Sequence, residues 1–370
     1  MALARYDVDP TTGFVPATPP LRRLGTMFEP WEVLAPELSA LIRSRRLRNA
    51  LTRLPPLDAH ALKSRAEQER GLLLLTHFVN SWVWGGEEPH LRIPATIAVP
   101  LCALSERLGR PPIAHYASMT LNNWQLVDPT GAIEIDNART QVQFLGGVDE
   151  DWFFIASMGV ELAGAPLLPV VANTDRASRE GSDDEIAQLL GTFVDGMDAV
   201  QAALLRVREW CDPGTYYLRL RPYVNGWPAP GAVYEGVSEE PRRYLGGSAA
   251  QSSLLQSFDA MLGLAHPDSP SGSYLRAVRA YMPPAHRAFV EDIERTSQVR
   301  ARAVAGTAVL RDTYNEALSR MERFREEHMQ LAHDFIIRPS GSGGDHLGTG
   351  GTALNTFLRG AQGTTTAAKL

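Results

Sequence analysis

Between residues 314 and 338 apolar positions recur with the period of an α-helix around one histidine. Counted from His328, residues Met321, Phe324, Leu331, Ala332, Phe335 and Ile336 stand at i−7, i−4, i+3, i+4, i+7 and i+8, which is one stripe on one face. A second stripe, Ile186, Leu189, Leu190, Phe193, Val194, Met197, Val200, Leu204 and Val207, follows a Ser182–Glu185 capping box and predicts one core helix reaching Trp210. Acids at 149–151 ahead of bulky apolar residues predict a helix over 149–160, since negative charge favours a helix start. Short amphipathic helices are predicted over 31–53, stopped by Pro55 and Pro56. A further helix is predicted from a cap at Asp58 through Leu72 to Trp84, ended by Gly85 and Gly86. Residues 93–108 start irregularly at their prolines and become helical, and 113–124, 251–264 and 284–294 also carry helical pattern.

Elsewhere the period is lost. Residues 1–24 read as an extended arm rich in Pro and Thr, and 213–248 as an aromatic, Pro/Gly-punctuated stretch with at most short strands. Pro339 stops the His328 helix, and the glycine-rich run 340–352 is predicted to be a mobile flap, because glycine loses the most backbone entropy on ordering. Strand-like runs are few, so the predicted fold class is mainly α.

Composition narrows the function classes. The chain has 370 residues with 44% hydrophobic and 21% charged, enough for a large core and for two domains. A net charge of −6 argues against a nucleic-acid or anionic-membrane surface; only Arg43 to Arg48 form a basic run, read as a solvated helix face. Two cysteines, Cys102 and Cys211, make no disulfide framework, and the first residues lack the apolar core of a secretory signal, so a cytoplasmic protein is expected. The longest apolar stretch, 153–172, holds Glu161, Pro166 and Pro169, which suits a buried helix better than a membrane span.

His328 is the candidate for chemistry. An imidazole in an apolar seam needs partners for its ring nitrogens, because leaving them unpaired costs about 1–3 kcal/mol. Those partners are either hydrogen-bonding groups in the core, which the local pattern alone favours, or a metal. No second His, Cys or carboxylate stands at i±3 or i±4 on that face, so a zinc or di-iron site is poorly supported. A cofactor that asks for one strong axial ligand remains, and haem is the usual one.

Several long, ordered segments make the chain recognisable: RIPATIAVPLCALSERLGRPPI at 92–113, HYASMTLNNW at 115–124, DWFFIASMGVE at 151–161, LRPYVNGW at 220–227, VYEGV at 233–237, GGSAAQSSLLQSFDAMLG at 246–263, YMPPAHRAF at 281–289 and GTGGTALNTFL at 348–358. Through them it resembles the indoleamine 2,3-dioxygenase family over most of its length. The resemblance implies a small N-terminal helical domain (1–145) covering the distal side of a large helical domain (146–370) that holds haem b, with His328 as the iron ligand. It implies Phe153 and Ser157 on the distal face, with Tyr116 and Met119 deeper in the pocket. Tyr216 stands where the family commonly has phenylalanine, and its hydroxyl adds polarity. Arg221 becomes the candidate for a substrate carboxylate, as its planar fork pairs two oxygens. Gly246, Gly247, Ser248 and Ala249 would let backbone approach the haem edge, Asp259 and Arg325 would lie near the haem and its proximal side, and Thr349 would close on the substrate. The implied reaction opens the indole C2–C3 bond of L-tryptophan with O2 to give N-formylkynurenine, with no dedicated protein base and a reductant to keep the iron ferrous, in a monomer. Alternatives with the same fold are an enzyme for indole or a modified tryptophan, and a non-catalytic O2-binding haem protein. Retention of Arg221 and of the GTGGT run favours an amino-acid substrate.

Overall fold

The computed structural model describes residues 2–264, 270–341, 348–349 and 353–370. It is mainly α-helical, in agreement with the apolar pattern. The N-terminal arm differs from its expectation. Leu3–Tyr6 form a 3-10 turn, and Tyr6, Val8, Phe14 and Val15 are buried. Tyr6 donates to Asp292 Oδ2 at 2.6 Å, and its ring meets Phe289 edge-on with centroids 5.4 Å apart. Aromatic docking against a distant helix orders this segment.

Helices α1 (Glu29–Arg43) and α2 (Leu47–Thr52) follow. Asp58 caps only the 3-10 turn Ala59–Ala61, accepting from the His60 N–H, so the next helix does not start there. Instead α3 (Arg65–Trp84) starts at Ser64, whose hydroxyl accepts from the Glu67 N–H while the Glu67 carboxylate accepts from the Ser64 N–H. That reciprocal pair satisfies two helix-start donors and outcompetes a single aspartate. After Pro94 comes α4 (Ala95–Leu108). The helix predicted over 113–124 is reduced to one π-helical turn, Ala117–Leu121. Side chains satisfy the N–H groups that lead into this turn: Asn80 Oδ1 accepts from Ala114 at 3.0 Å, Ser118 Oγ from His115 at 3.2 Å, and Gln251 Oε1 from Tyr116 at 2.8 Å.

Among the described residues five short strands, β1 (Arg92–Ile93), β2 (Gln125–Leu126), β3 (Ala138–Arg139), β4 (Ala232–Tyr234) and β5 (Ser238–Arg242), make two small sheets. β4 lies parallel to β1, with Arg92 opposite Val233, and antiparallel to β5; β2 pairs antiparallel with β3.

The apolar run folds as α5 (Val148–Gly164) and α6 (Leu167–Glu180), bent by 41° between them, and both pack on α7 (Asp183–Leu205). No single helix among the described residues is long and apolar enough to cross a membrane. Ser182 accepts from the Glu185 N–H at 3.1 Å, but the Glu185 carboxylate turns to Arg176 at 2.7 Å and leaves the capping box half closed. The stripe does not reach Trp210 as one helix. It stops at Leu205, and α8 (Val207–Trp210) buries no side chain. At the break the Arg206 carbonyl accepts from the Trp152 indole at 2.7 Å, and the Arg206 guanidinium pairs with Asp136 and Glu209. The chain breaks at Arg206 and resumes as the single turn α8.

The short turn α9 (Pro213–Thr215) leads into a π-helical turn, Tyr216–Leu220, and a 3-10 turn, Arg221–Val224. Then come α10 (Ser253–Met261), α11 (Pro270–Val278), α12 (Pro284–Thr296) and α13 (Val299–Ala305). The His328 helix is α14 (Ala308–Ala332), capped by Thr307, and it continues as a π-helical turn, His333–Ile337, into the short α15 (Arg338–Ser340). All six stripe residues counted from His328 are buried. Last comes α16 (Leu354–Thr366), packed on α14. The core runs unbroken from Tyr6 to Ala368, across position 145. Of the predicted flap, residues 342–347 and 350–352 lie outside the described residues, whereas Ser340, Gly341, Gly348 and Thr349 are placed.

Candidate functional site

α14 and α5 face each other across a cavity of about 280 Å³, closed by the turn Ala117–Leu121 and by the chain leading into α10. Tyr116, Met119, Phe153, Ser157, Tyr216, Gly247, Ser248, Ala249, Asp259, Arg325, His328 and Thr349 all border it. Segments far apart in sequence and singled out for different reasons therefore share one wall. Arg221 and Gly246 are not on that wall.

The α14 side carries the strongest donor. His328 is partly accessible because it lines the cavity, and neither ring nitrogen has a hydrogen-bond partner among the described residues. Burial, followed by the Arg325 charge one turn earlier, holds its pKa below the ordinary imidazole value. The ring is therefore neutral, the form that ligates a metal. Arg325 places one guanidinium nitrogen 2.6 and 2.7 Å from the two Asp259 oxygens, while its Nη1 is buried with no partner. This pair leaves the proximal wall with little net charge and one spare donor. Among the described residues no three His, Cys, Asp or Glu gather as a metal cage, so any metal held here needs a scaffold of its own.

Facing His328, α5 offers an aromatic surface. The Phe153 and Tyr216 rings lie 4.6 Å apart at 33°, and Tyr216 meets Phe335 at 5.9 Å and 68°. Burial pushes the Tyr216 phenol up to about 12, so it stays protonated. The Ser157 hydroxyl donates to its own helix at the Phe153 carbonyl, 2.8 Å away, and leaves its lone pairs for a ligand. Arg221 stacks over Tyr217 at 5.5 Å and is near enough for its charge to act on Tyr216.

Three π-helical turns occur among the described residues, and each brings residues to this cavity: Met119 and Thr120 on the first, Tyr216 on the second, Phe335 and Ile336 on the third. Phe335 and Ile336 were already on the His328 stripe, whereas Thr120 lies on no apolar stripe and was missed for that reason. Ser252 and Gln256 also line the cavity and were missed, although both lie within the GGSAAQSSLLQSFD segment.

The glycines act through backbone crossing. Val224 to Trp227 run against Tyr244 to Gly247, with Gly247 N–H donating to the Val224 carbonyl and Trp227 N–H to the Tyr244 carbonyl, both at 3.0 Å. Thr349 seals the junction: its hydroxyl donates to the Gly247 carbonyl at 2.6 Å, and its carbonyl accepts from Gly226 and Gly246 at 3.3 and 3.2 Å. A Cβ on Gly246 would stand 2.2 Å from the Val224 carbonyl oxygen, whereas one on Gly247 would meet only the mobile end of Met119 at 2.0 Å. Gly246 thus serves the crossing and Gly247 the cavity. Gly246→Ala is expected to destabilise the protein by about 2 kcal/mol or more, while Gly247→Ala stays folded and displaces Met119 into the cavity. Thermal unfolding of both variants checks this, and equal stability losses would remove the distinction.

Against known proteins, a family model described as "Indoleamine 2,3-dioxygenase" matches residues 2–368. The chain is 32% identical to indoleamine 2,3-dioxygenase 1 of Rattus norvegicus over 391 residues, covering 100% of this chain and 96% of the relative. It is 34% identical to indoleamine 2,3-dioxygenase 2 of Mus musculus, covering 97% of this chain and 93% of the relative. A fungal relative, indoleamine 2,3-dioxygenase acdA of Aspergillus candidus, is also 34% identical, with 99% and 96% covered.

Proposed function

This chain belongs to the indoleamine 2,3-dioxygenase family, and on that premise we propose that it is a haem-dependent dioxygenase that opens the indole ring of L-tryptophan to give N-formylkynurenine. The observation that carries the reading is the His328 imidazole, without a hydrogen-bond partner among the described residues, sharing one cavity with the Phe153 and Tyr216 rings. The described residues fit a haem. His328 would ligate the iron, and the buried Nη1 of Arg325 offers a donor to an acidic edge. When bound and ferrous, haem supplies O2 binding and activation.

The chain's own residues do the rest. Phe153, Tyr216 and Phe335 offer ring faces for an indole. Ser248 and Thr349 offer small polar groups at the rim, and Arg221, beside Tyr216, is the candidate for the carboxylate. Asp259, the carboxylate on the wall, is held by Arg325, so no free carboxylate base faces the ring among the described residues. The protein's contribution is then orientation and exclusion of water from the reacting pair.

A second reading, an indole lacking the amino-acid arm, is favoured by the position of Arg221 off the cavity wall. Mass analysis separates the two. Anaerobically reduced, haem-loaded protein given O2 with L-tryptophan is expected to form a product heavier by two oxygen atoms, with both atoms labelled when the gas is labelled. Conversion of indole alone would replace the first reading with the second, and turnover of neither would end both.

A further inference from the structure

Behind the cavity lies a buried acid that the proposed chemistry does not use. Glu161 sits one turn beyond Ser157 on α5 and is 1% exposed. Its Oε1 accepts from the Ser252 hydroxyl at 2.6 Å, and its Oε2 is buried without a hydrogen bond. The Tyr116 hydroxyl lies beside this carboxyl while pointing at the Ser157 carbonyl at 3.4 Å, the long limit of a hydrogen bond. Tyr116, Ser157 and Ser252 all line the cavity, so one carboxyl touches or adjoins three of its wall residues.

A buried carboxylate with an orphaned oxygen and no cation is unfavourable. No Arg or Lys pairs with Glu161 among the described residues, and Tyr116 is the titratable group that faces it; Ser252 is the other polar neighbour. Burial pushes the carboxyl up to about 7, opposed by Ser252 and Tyr116. A neutral acid removes the orphan, because the proton on Oε2 can be donated to the Tyr116 oxygen. The phenol proton is then committed to the Ser157 carbonyl, and a continuous chain runs from Ser252 through Glu161 and Tyr116 to α5.

We infer that Glu161 is a positioning residue that, as a neutral acid, locks Tyr116 and Ser252 and thereby sets the polar end of the pocket against which the substrate's ring is placed. Ionisation would reverse the chain: the carboxylate would accept the phenol proton, and Tyr116 would turn away from Ser157. Substrate placement should therefore weaken as pH rises through about 7.

The activity arm of the test rests on the dioxygenase reading; the spectroscopic arm does not. In infrared spectra of the full chain, the difference between wild type and Glu161→Gln at pH 6 is expected to show a protonated-carboxyl band that fades as pH rises through about 7; Glu150, also pushed up to about 7 by burial, is common to both proteins and cancels. Because the native state holds a proton that the unfolded chain releases, wild type should also lose stability relative to Glu161→Gln as pH rises from 4.5 to about 7. In the haem-loaded enzyme, Glu161→Leu should lower kcat/KM about tenfold, the worth of one buried hydrogen bond. Glu161→Gln, which keeps a neutral donor and acceptor, should recover most of that loss and lose the pH dependence near 7. Absence of that difference band at pH 6, or equal losses with an unchanged pH profile in both variants, would overturn the inference. Should Glu161→Leu fail to fold, the glutamine variant and the infrared arm still decide it. A persisting carboxyl band in a wild-type protein that converts no indole would count against the dioxygenase reading alone.

Discussion

His328→Ala is expected to purify folded and nearly free of haem. The imidazole makes no hydrogen bond among the described residues, so its removal strands no buried partner and should cost little stability. It does remove the one imidazole on the cavity wall among those residues. His333, on the same helix run, has a side chain 53% exposed and turned to Asp334, so it cannot substitute without unwinding the π-helical turn. Haem content below about a tenth of the wild-type level is expected, since haem then lacks its strong axial ligand. The visible spectrum after haem reconstitution measures this, with circular dichroism as the control for folding. Free imidazole supplied to the variant should occupy the vacated space and restore a histidine-like spectrum. An unchanged Soret band in His328→Ala would refute the ligand assignment.

The second large effect concerns Arg221. Replacement by leucine should lower kcat/KM for L-tryptophan by about 30-fold or more, the lower end of the loss on breaking a desolvated, hydrogen-bonded charge pair. Carbon monoxide binding to the ferrous protein should be unchanged, because the residue lies off the cavity wall, stacked over Tyr217. Arg221→Lys should recover little, because an ammonium lacks the planar fork that spans two oxygens. Indole, having no carboxylate, should be indifferent to the change. Parallel loss of tryptophan turnover and carbon monoxide binding would instead make Arg221 a structural residue of the Arg221–Val224 turn.

The aromatic surface and the histidine were legible in the sequence to different degrees. His328 was visible because its six flanking apolar residues repeat with the helical period, and all six are buried. That period is a property of neighbouring residues on one helix. Phe153 and Ser157 came from the family resemblance, and the structure sets them on the wall facing His328. Glu161 was read only as an acid in an apolar run; its role depends on Ser252, 91 residues away.

What the sequence by itself determined is the mainly helical fold and the inward face of α14, while the segments that supply the cavity wall came through the family resemblance. The first two follow from side-chain chemistry repeated along a short stretch, whose burial preference holds whatever packs against it. The tertiary structure decided where helices stop and which way the wall residues point. The helix expected over 113–124 is a π-helical turn, Ala117–Leu121, whose leading N–H groups are capped by Asn80 and by Gln251, the latter 135 residues from Tyr116. The helix breaks at Arg206, whose carbonyl accepts from the Trp152 indole, 54 residues away, although Val207 beyond the break still lines the cavity. Gly246 proved to serve a backbone crossing with Val224, and Arg221 lay beside the cavity instead of on its wall. In each case a backbone group or a charge had two possible partners, one local and one distant, and only the folded chain brings the distant one within hydrogen-bonding range.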